Sequence, residues 1–267
     1  MSLCRSFAVL GVACLVTTPV LAETATYRLT VDNIWSEATH PGAFPAGAHF
    51  SWLGGGTHTA GVSFWADGGL ASPGMVQMAE TGVTFTLVAE IAAAIGAGTA
   101  YQTVNWTHWF CPDDTTDSSC GKLVVEFEVD DGFPLVTLAT MLGPSPDWFV
   151  GVSGLALHDG LNWINDLTVD LYPYDGGSRE ANAFALFGPL TIPQEPISLI
   201  TAGSGQLVGP GLLGTFRFQR LGATAVPAMG AWATGVLMLA LLAAGAMRCR
   251  SLGRLHPEDL DRTPSAS

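Results

Sequence analysis

Positive charge is what this chain has least of. Its 267 residues carry 10 Lys and Arg against 23 Asp and Glu, for a formal net charge of −13. Between Glu23 and Ala225 there are five basic and twenty acidic residues. Nucleic-acid binding needs clustered basic side chains to displace counterions from phosphates, so that class is excluded. Cysteine is also scarce, at five. Zinc sites gather four ligands at short spacings, and Cys111, Cys120 and His108 do not supply such a set. His40, His49 and His58 recur every nine residues, but that spacing suits hydrogen bonds between loops better than a metal. There is no fixed-period repeat and no heptad run. Phosphate loops, HExxH and the dinucleotide glycine pattern are absent. Gly151-Val-Ser153-Gly154 only imitates a nucleophile elbow, because the first glycine is out of register. No enzyme is expected.

Two apolar runs stand at the ends. Arg5, then Phe7 to Val16, then Val20-Leu21-Ala22 has the layout of a signal peptide with cleavage after Ala22. Residues 223–228 read as a linker. Residues 229–247 are uncharged, rich in Leu and Ala, and long enough to cross a bilayer. Arg248, Arg250 and Arg254 follow, which sets the C-terminus on the cytoplasmic side, and residues 248–267 form a basic, then acidic tail. Val226 to Trp232, the apolar run and the arginines also resemble bacterial C-terminal sorting signals. Permanent anchor and cleaved signal both stay open.

What lies between, residues 23–222, reads as one extracytoplasmic domain built mainly of strands. Cys111 and Cys120 are its only cysteines, an even pair in an oxidising compartment. They bracket a polar loop, so a disulfide worth about 2–3 kcal/mol is expected. Asn105-Trp106-Thr107 is a glycosylation sequon. Trp106 and Trp109 are expected in the core. Tyr27 to Ile34 alternates as a strand. His49 to Gly56 and Thr59 to Trp65 are short apolar runs broken by glycine. Val83 to Val88 alternates like a strand, and a short helix is expected from about Leu87 to Gly96. Lys122 to Val129 alternates with Leu123, Val125, Phe127 and Val129 inward and Val124, Glu126 and Glu128 outward. Leu135 to Leu142, Asp166 to Tyr172, the strand-like Thr191 to Ile200 and Leu213 to Leu221 complete the set.

Two loops stand out. In Gly143 to Leu155, prolines 144 and 146 stiffen the chain around Asp147. In Asp170 to Gly177, Pro173 and two glycines flank Asp175. Two carboxylates on rigid loops suit a hard cation such as Ca²⁺, which takes six to eight oxygens. Asp beside Pro or Gly is equally an ordinary turn residue, and the residues alone leave both readings open. If the strands before them end on the same side of the sheet, the two loops meet.

Six stretches then carry a resemblance: Trp35 to Pro41, Ala48 to Thr59, Phe64 to Met75, Gly143 to Leu155, Asp170 to Gly177 and Thr191 to Ile197. In order and spacing they resemble the N-terminal spondin domain of F-spondin and mindin, extracellular matrix and adhesion proteins. The resemblance implies an antiparallel β-sandwich of the C2 type, here with one short helix. It also implies calcium, with Asp147 and Asp175 as ligands. A third acid varies among members. One position for it is Arg179 here, with Glu180 beside it. Another falls on Glu128, or on Glu126 of the same face. The expected function is a calcium-binding adhesion or recognition module whose partner is a surface protein or a glycan. The competing expectation is a structural envelope protein in which these acids only cap loops.

Overall fold

The computed structural model describes residues 22–111, 122–180, 183–201 and 211–222. The expected signal peptide, the apolar run 229–247, the tail, and Cys120 lie outside these residues. Among the described residues no helix is long and apolar enough to cross a membrane.

Among the described residues ten strands and two helices follow in chain order. They are β1 (Thr24–Asn33), β2 (His49–His58), α1 (Pro73–Thr81), α2 (Phe85–Gly96), β3 (Ala100–Trp106), β4 (Val124–Asp130), β5 (Leu135–Gly143), β6 (Trp148–Ala156), β7 (Asp166–Leu171), β8 (Tyr174–Asp175), β9 (Ser198–Leu199) and β10 (Gly214–Arg220). They form two antiparallel sheets. One has the order β4-β1-β10-β7 and the other β3-β2-β5-β6-β8-β9. Their inner faces meet over a core that includes Tyr27, Leu29, Phe50, Phe127, Val150 and Phe216, as in a β-sandwich. A second core lies on the far side of the larger sheet. There Met75, Met78, Leu87 and Ile91 of the helices pack on Ala139, Met141 and Phe149.

That second layer explains the composition of β5. A strand covered on both faces reads as a continuous apolar run rather than an alternating one, and β5 is buried at every position after Leu135. It explains the glycines of β2 as well. A Cβ at Gly54 would meet Thr84 Cγ2 at 2.7 Å, and one at Gly56 would meet Ile91 Cγ2 at 2.8 Å. One at Gly55 would stand 2.0 Å from the Thr137 carbonyl oxygen. The three glycines let the helices and β5 close on one strand, so they join the strand rather than break it.

The helical layer departs from expectation in two ways. Helix α1 is additional. Its signals are local: Ser72 caps the Met75 N–H, Pro73 opens the first turn, and Gly82 ends the helix at φ +74°. Helix α2 begins at Phe85, so most of the alternating Val83 to Val88 stretch is helical. Phe85 is 64% exposed, and the buried positions are Leu87 and Ile91, four apart, as helical packing requires. Residues 59–65 are loop, and only Ser198–Leu199 of the Thr191 to Ile200 stretch pairs as strand. Its prolines, Pro193 and Pro196, remove the ladder donors a longer strand would need. Strand β4 keeps its expected alternation, with Phe127 and Val129 buried and Glu126 and Glu128 exposed.

Candidate functional site

Asp147 and Asp175 arrive at the same end of the larger sheet. β5 stops at Gly143, a short turn follows, and β6 starts at Trp148. Ser145 closes that turn, accepting the Trp148 N–H at 3.0 Å. β8 then lies beside the start of β6, with Trp148 opposite Asp175. The Gly176 N–H donates to the Asp147 carbonyl at 3.0 Å. Gly177 has φ +69°, and a Cβ there would stand 2.1 Å from the Glu195 carbonyl oxygen. Only glycine permits this turn.

The turn aims its donors at Asp147. Oδ2 accepts the Ser178 N–H at 2.8 Å, the Ser178 hydroxyl at 3.0 Å and the Arg179 N–H at 2.9 Å. Asp147 is 0% exposed. Its other oxygen, Oδ1, is buried with no hydrogen-bond partner. Asp175 Oδ1 accepts the Gly177 N–H at 2.8 Å.

The electrostatics are unfavourable to charge. Burial raises Asp147, the Asp175 carboxylate raises it further, and the three donors only partly offset this, so its pKa is pushed up to about 6. Burial also raises Asp175, with the Gly177 N–H and the Trp148 side chain lowering it in part and Glu195 adding to the rise. Two desolvated carboxylates, one raised by the other and carrying an orphaned oxygen, have the chemistry of a hard-cation site. They offer two carboxylates and no soft ligand, so carbonyls and water would have to complete the shell.

A third acid is not among them. Arg179 turns its guanidinium away, to Glu80 Oε2 on α1 at 2.6 Å and to the Gly188 carbonyl at 3.1 Å. Glu126 lies on β4 of the other sheet, paired with Arg28 at 2.7 Å. Glu128 accepts the Tyr101 hydroxyl at 3.4 Å. Among the described residues no three His, Cys, Asp or Glu side chains gather as a metal site, so neither glutamate joins the two aspartates. Sequence reasoning missed Glu80 and Glu195. Both come from distant segments, and no local pattern marks them.

The remaining candidates are accounted for locally. His58 Nε2 shares a hydrogen bond with Thr137 Oγ1 at 2.7 Å, and His40 Nδ1 one with Thr39 Oγ1 at 2.9 Å. Burial lowers the pKa of both rings. His49 stacks on Trp109, centroids 4.3 Å apart, and Trp109 is exposed rather than core. The Ser153 hydroxyl donates to the Trp65 carbonyl, so it is no poised nucleophile.

The Spondin_N family model matches residues 25–206, which takes in both sheets up to β9 and the whole Asp147–Asp175 turn. The chain belongs to the spondin N-terminal domain family. Spondin-2 of Homo sapiens is 36% identical over 183 residues, 67% of this chain and 54% of that protein. Spondin-1 of Rattus norvegicus is 35% identical over 183 residues, 67% of this chain and 22% of that protein. The chain therefore spans about half the length of the first relative and about a fifth of the second. What is shared is the spondin domain, and residues 207–267 lie beyond its match.

Proposed function

We propose that this chain is an extracytoplasmic, cell-surface spondin-domain protein that acts as a calcium-binding adhesion or recognition module. The observation that carries the metal reading is the buried, unpaired Oδ1 of Asp147, on a carboxyl whose ionisation the Asp175 carboxylate opposes. A cation there would draw oxygens from both aspartates, and a carboxylate or hydroxyl of a surface protein or glycan would complete its shell. Residues 229–247 tether the domain, with the C-terminus on the cytoplasmic side. No catalytic role is assigned.

Isothermal titration of the chelator-treated chain with Ca²⁺, against Asp147→Asn, tests this reading. Binding heat in the parent and its loss in the variant are expected, with circular dichroism showing that the variant folds. The absence of heat in the parent removes the metal. The ion pair between Arg179 and Glu80, where a third acid would help, favours a structural envelope role instead. That role predicts melting unchanged by chelator.

A further inference from the structure

Among the described residues the sandwich is open along one side, and β7 is the outer strand of its sheet, pairing with β10 alone. β8 borders β6 only at Trp148 and Phe149. From Gly151 onward the β6 edge therefore has no strand beside it among the described residues. Between these two edges lies a groove of about 420 Å³, lined by β6, by Val169 and Asp170 of β7, by Tyr174 and by the Trp65–Asp67 loop. That volume is far larger than a bare ion and lies within the range of ligand pockets.

Its lining is one-sided in charge. Asp67 and Asp170 line it, and among the described residues no Lys, Arg or His does. Neither carboxylate has a hydrogen-bond or ion-pair partner among the described residues. Two of the groove's donors are engaged: the Ser153 hydroxyl goes to the Trp65 carbonyl, and the Trp65 indole N–H goes to the Leu138 carbonyl at 3.4 Å. The arginines of the described residues are engaged as well. Arg28, Arg179, Arg217 and Arg220 each face an acid elsewhere. Trp65 is 5% exposed and so forms the floor, while Tyr174 remains half-buried as a wall.

We infer that this groove receives a cationic side chain, best an arginine, from a partner polypeptide. A guanidinium brings five donors and no acceptor, which complements a lining of free carboxylates. Its plane can stack on the Tyr174 ring. A neutral sugar fits less well. It could use the same Tyr174 face, but it would bring no positive charge to the two carboxylates. The inference does not depend on a metal at Asp147.

The test uses the full chain in non-ionic detergent with chelator present. A fluorescent peptide of alternating glycine and arginine is titrated by anisotropy beside its neutral citrulline counterpart. The arginine peptide is expected to bind at least about tenfold more tightly, because citrulline removes the charge but keeps the shape. Asp67→Asn and Asp170→Asn should each weaken it roughly three- to fivefold, the range for a partly solvated charge pair. Both residues are exposed, so the fold should survive, and melting curves check this. Asp32→Asn, an exposed acid of β1 outside the groove, should leave binding unchanged. Equal binding of the citrulline peptide overturns the inference. So does equal weakening by Asp32→Asn, which reduces the effect to bulk acidity, or displacement of the arginine peptide by a neutral oligosaccharide. Failure here with calcium heat intact leaves the metal reading standing, and the reverse outcome leaves the groove standing.

Discussion

Without a bound cation, ionising Asp147 should cost the fold stability, and the cost can be sized. The carboxyl rises from its ordinary 3.8 to about 6 in the folded chain. At 1.36 kcal/mol per pH unit this is about 3 kcal/mol against the charged form. The sign follows from which state holds the proton more tightly. Below 3.8 Asp147 is protonated in both states and the fold keeps its full stability. As pH rises toward 6 the unfolded chain ionises freely while the folded chain resists, so stability falls, and above 6 the whole loss is in place. For a domain of this size about 3 kcal/mol corresponds to roughly 6–12 °C in Tm. Other carboxylates act in the opposite direction: Asp166, held low by Arg217, contributes stability that is present above 3.8 and is lost only as pH falls below it. The measurement is therefore a difference between parent and Asp147→Asn. The asparagine can still accept the Ser178 and Arg179 donors, and it points its amide where Oδ1 stood alone. Melting of the chelator-treated proteins between about pH 4 and pH 7 should show the parent losing ground to the variant. Calcium at neutral pH should restore the parent and leave the variant unmoved. Parallel curves for the two proteins, or equal stabilisation by calcium, would refute the reasoning.

Three further outcomes are expected. Arg179→Asp should tighten Ca²⁺ binding by about tenfold or more in titration calorimetry, because ligand charge sets affinity and the Arg179 backbone already sits against Asp147. Glu126→Ala and Glu128→Ala should leave the calcium isotherm unchanged, and Glu126→Ala should cost at most about 1 kcal/mol in chemical denaturation, since its partner Arg28 is solvent-exposed. Gly55→Ala should lower stability by about 3 kcal/mol or prevent folding, because its Cβ would press 2.0 Å from a backbone carbonyl of β5.

Much of the sandwich is legible along the chain, for reasons that are local. The alternation from Lys122 to Val129 has one face on the core and one in water, and β4 keeps it. Pro144 and Pro146 stop β5 from running straight into β6. Ser72, Pro73 and Gly82 announce α1 by capping chemistry that acts within four residues. The sequence nevertheless reads as holding a single short helix, and the alternation of Val83 to Val88 points to strand. A short apolar pattern fits either period until something covers it. Here the outer face of the larger sheet does so, through Ala139, Met141 and Phe149.

By itself the sequence determined that this is an acidic strand protein with stiff loops at Asp147 and Asp175, because proline, glycine and period-two alternation act between near neighbours. Only the tertiary structure decided what those aspartates face. Pairing of Trp148 with Asp175 joins two turns 28 residues apart, Ser178 and Arg179 turn their donors on one oxygen of Asp147, and the other oxygen is left alone. Glu126 and Glu128 share the right charge but stand on the other sheet, and Arg179 spends its own charge on a helix 99 residues away. Such relations depend on which strands lie side by side, and no spacing along the chain encodes that.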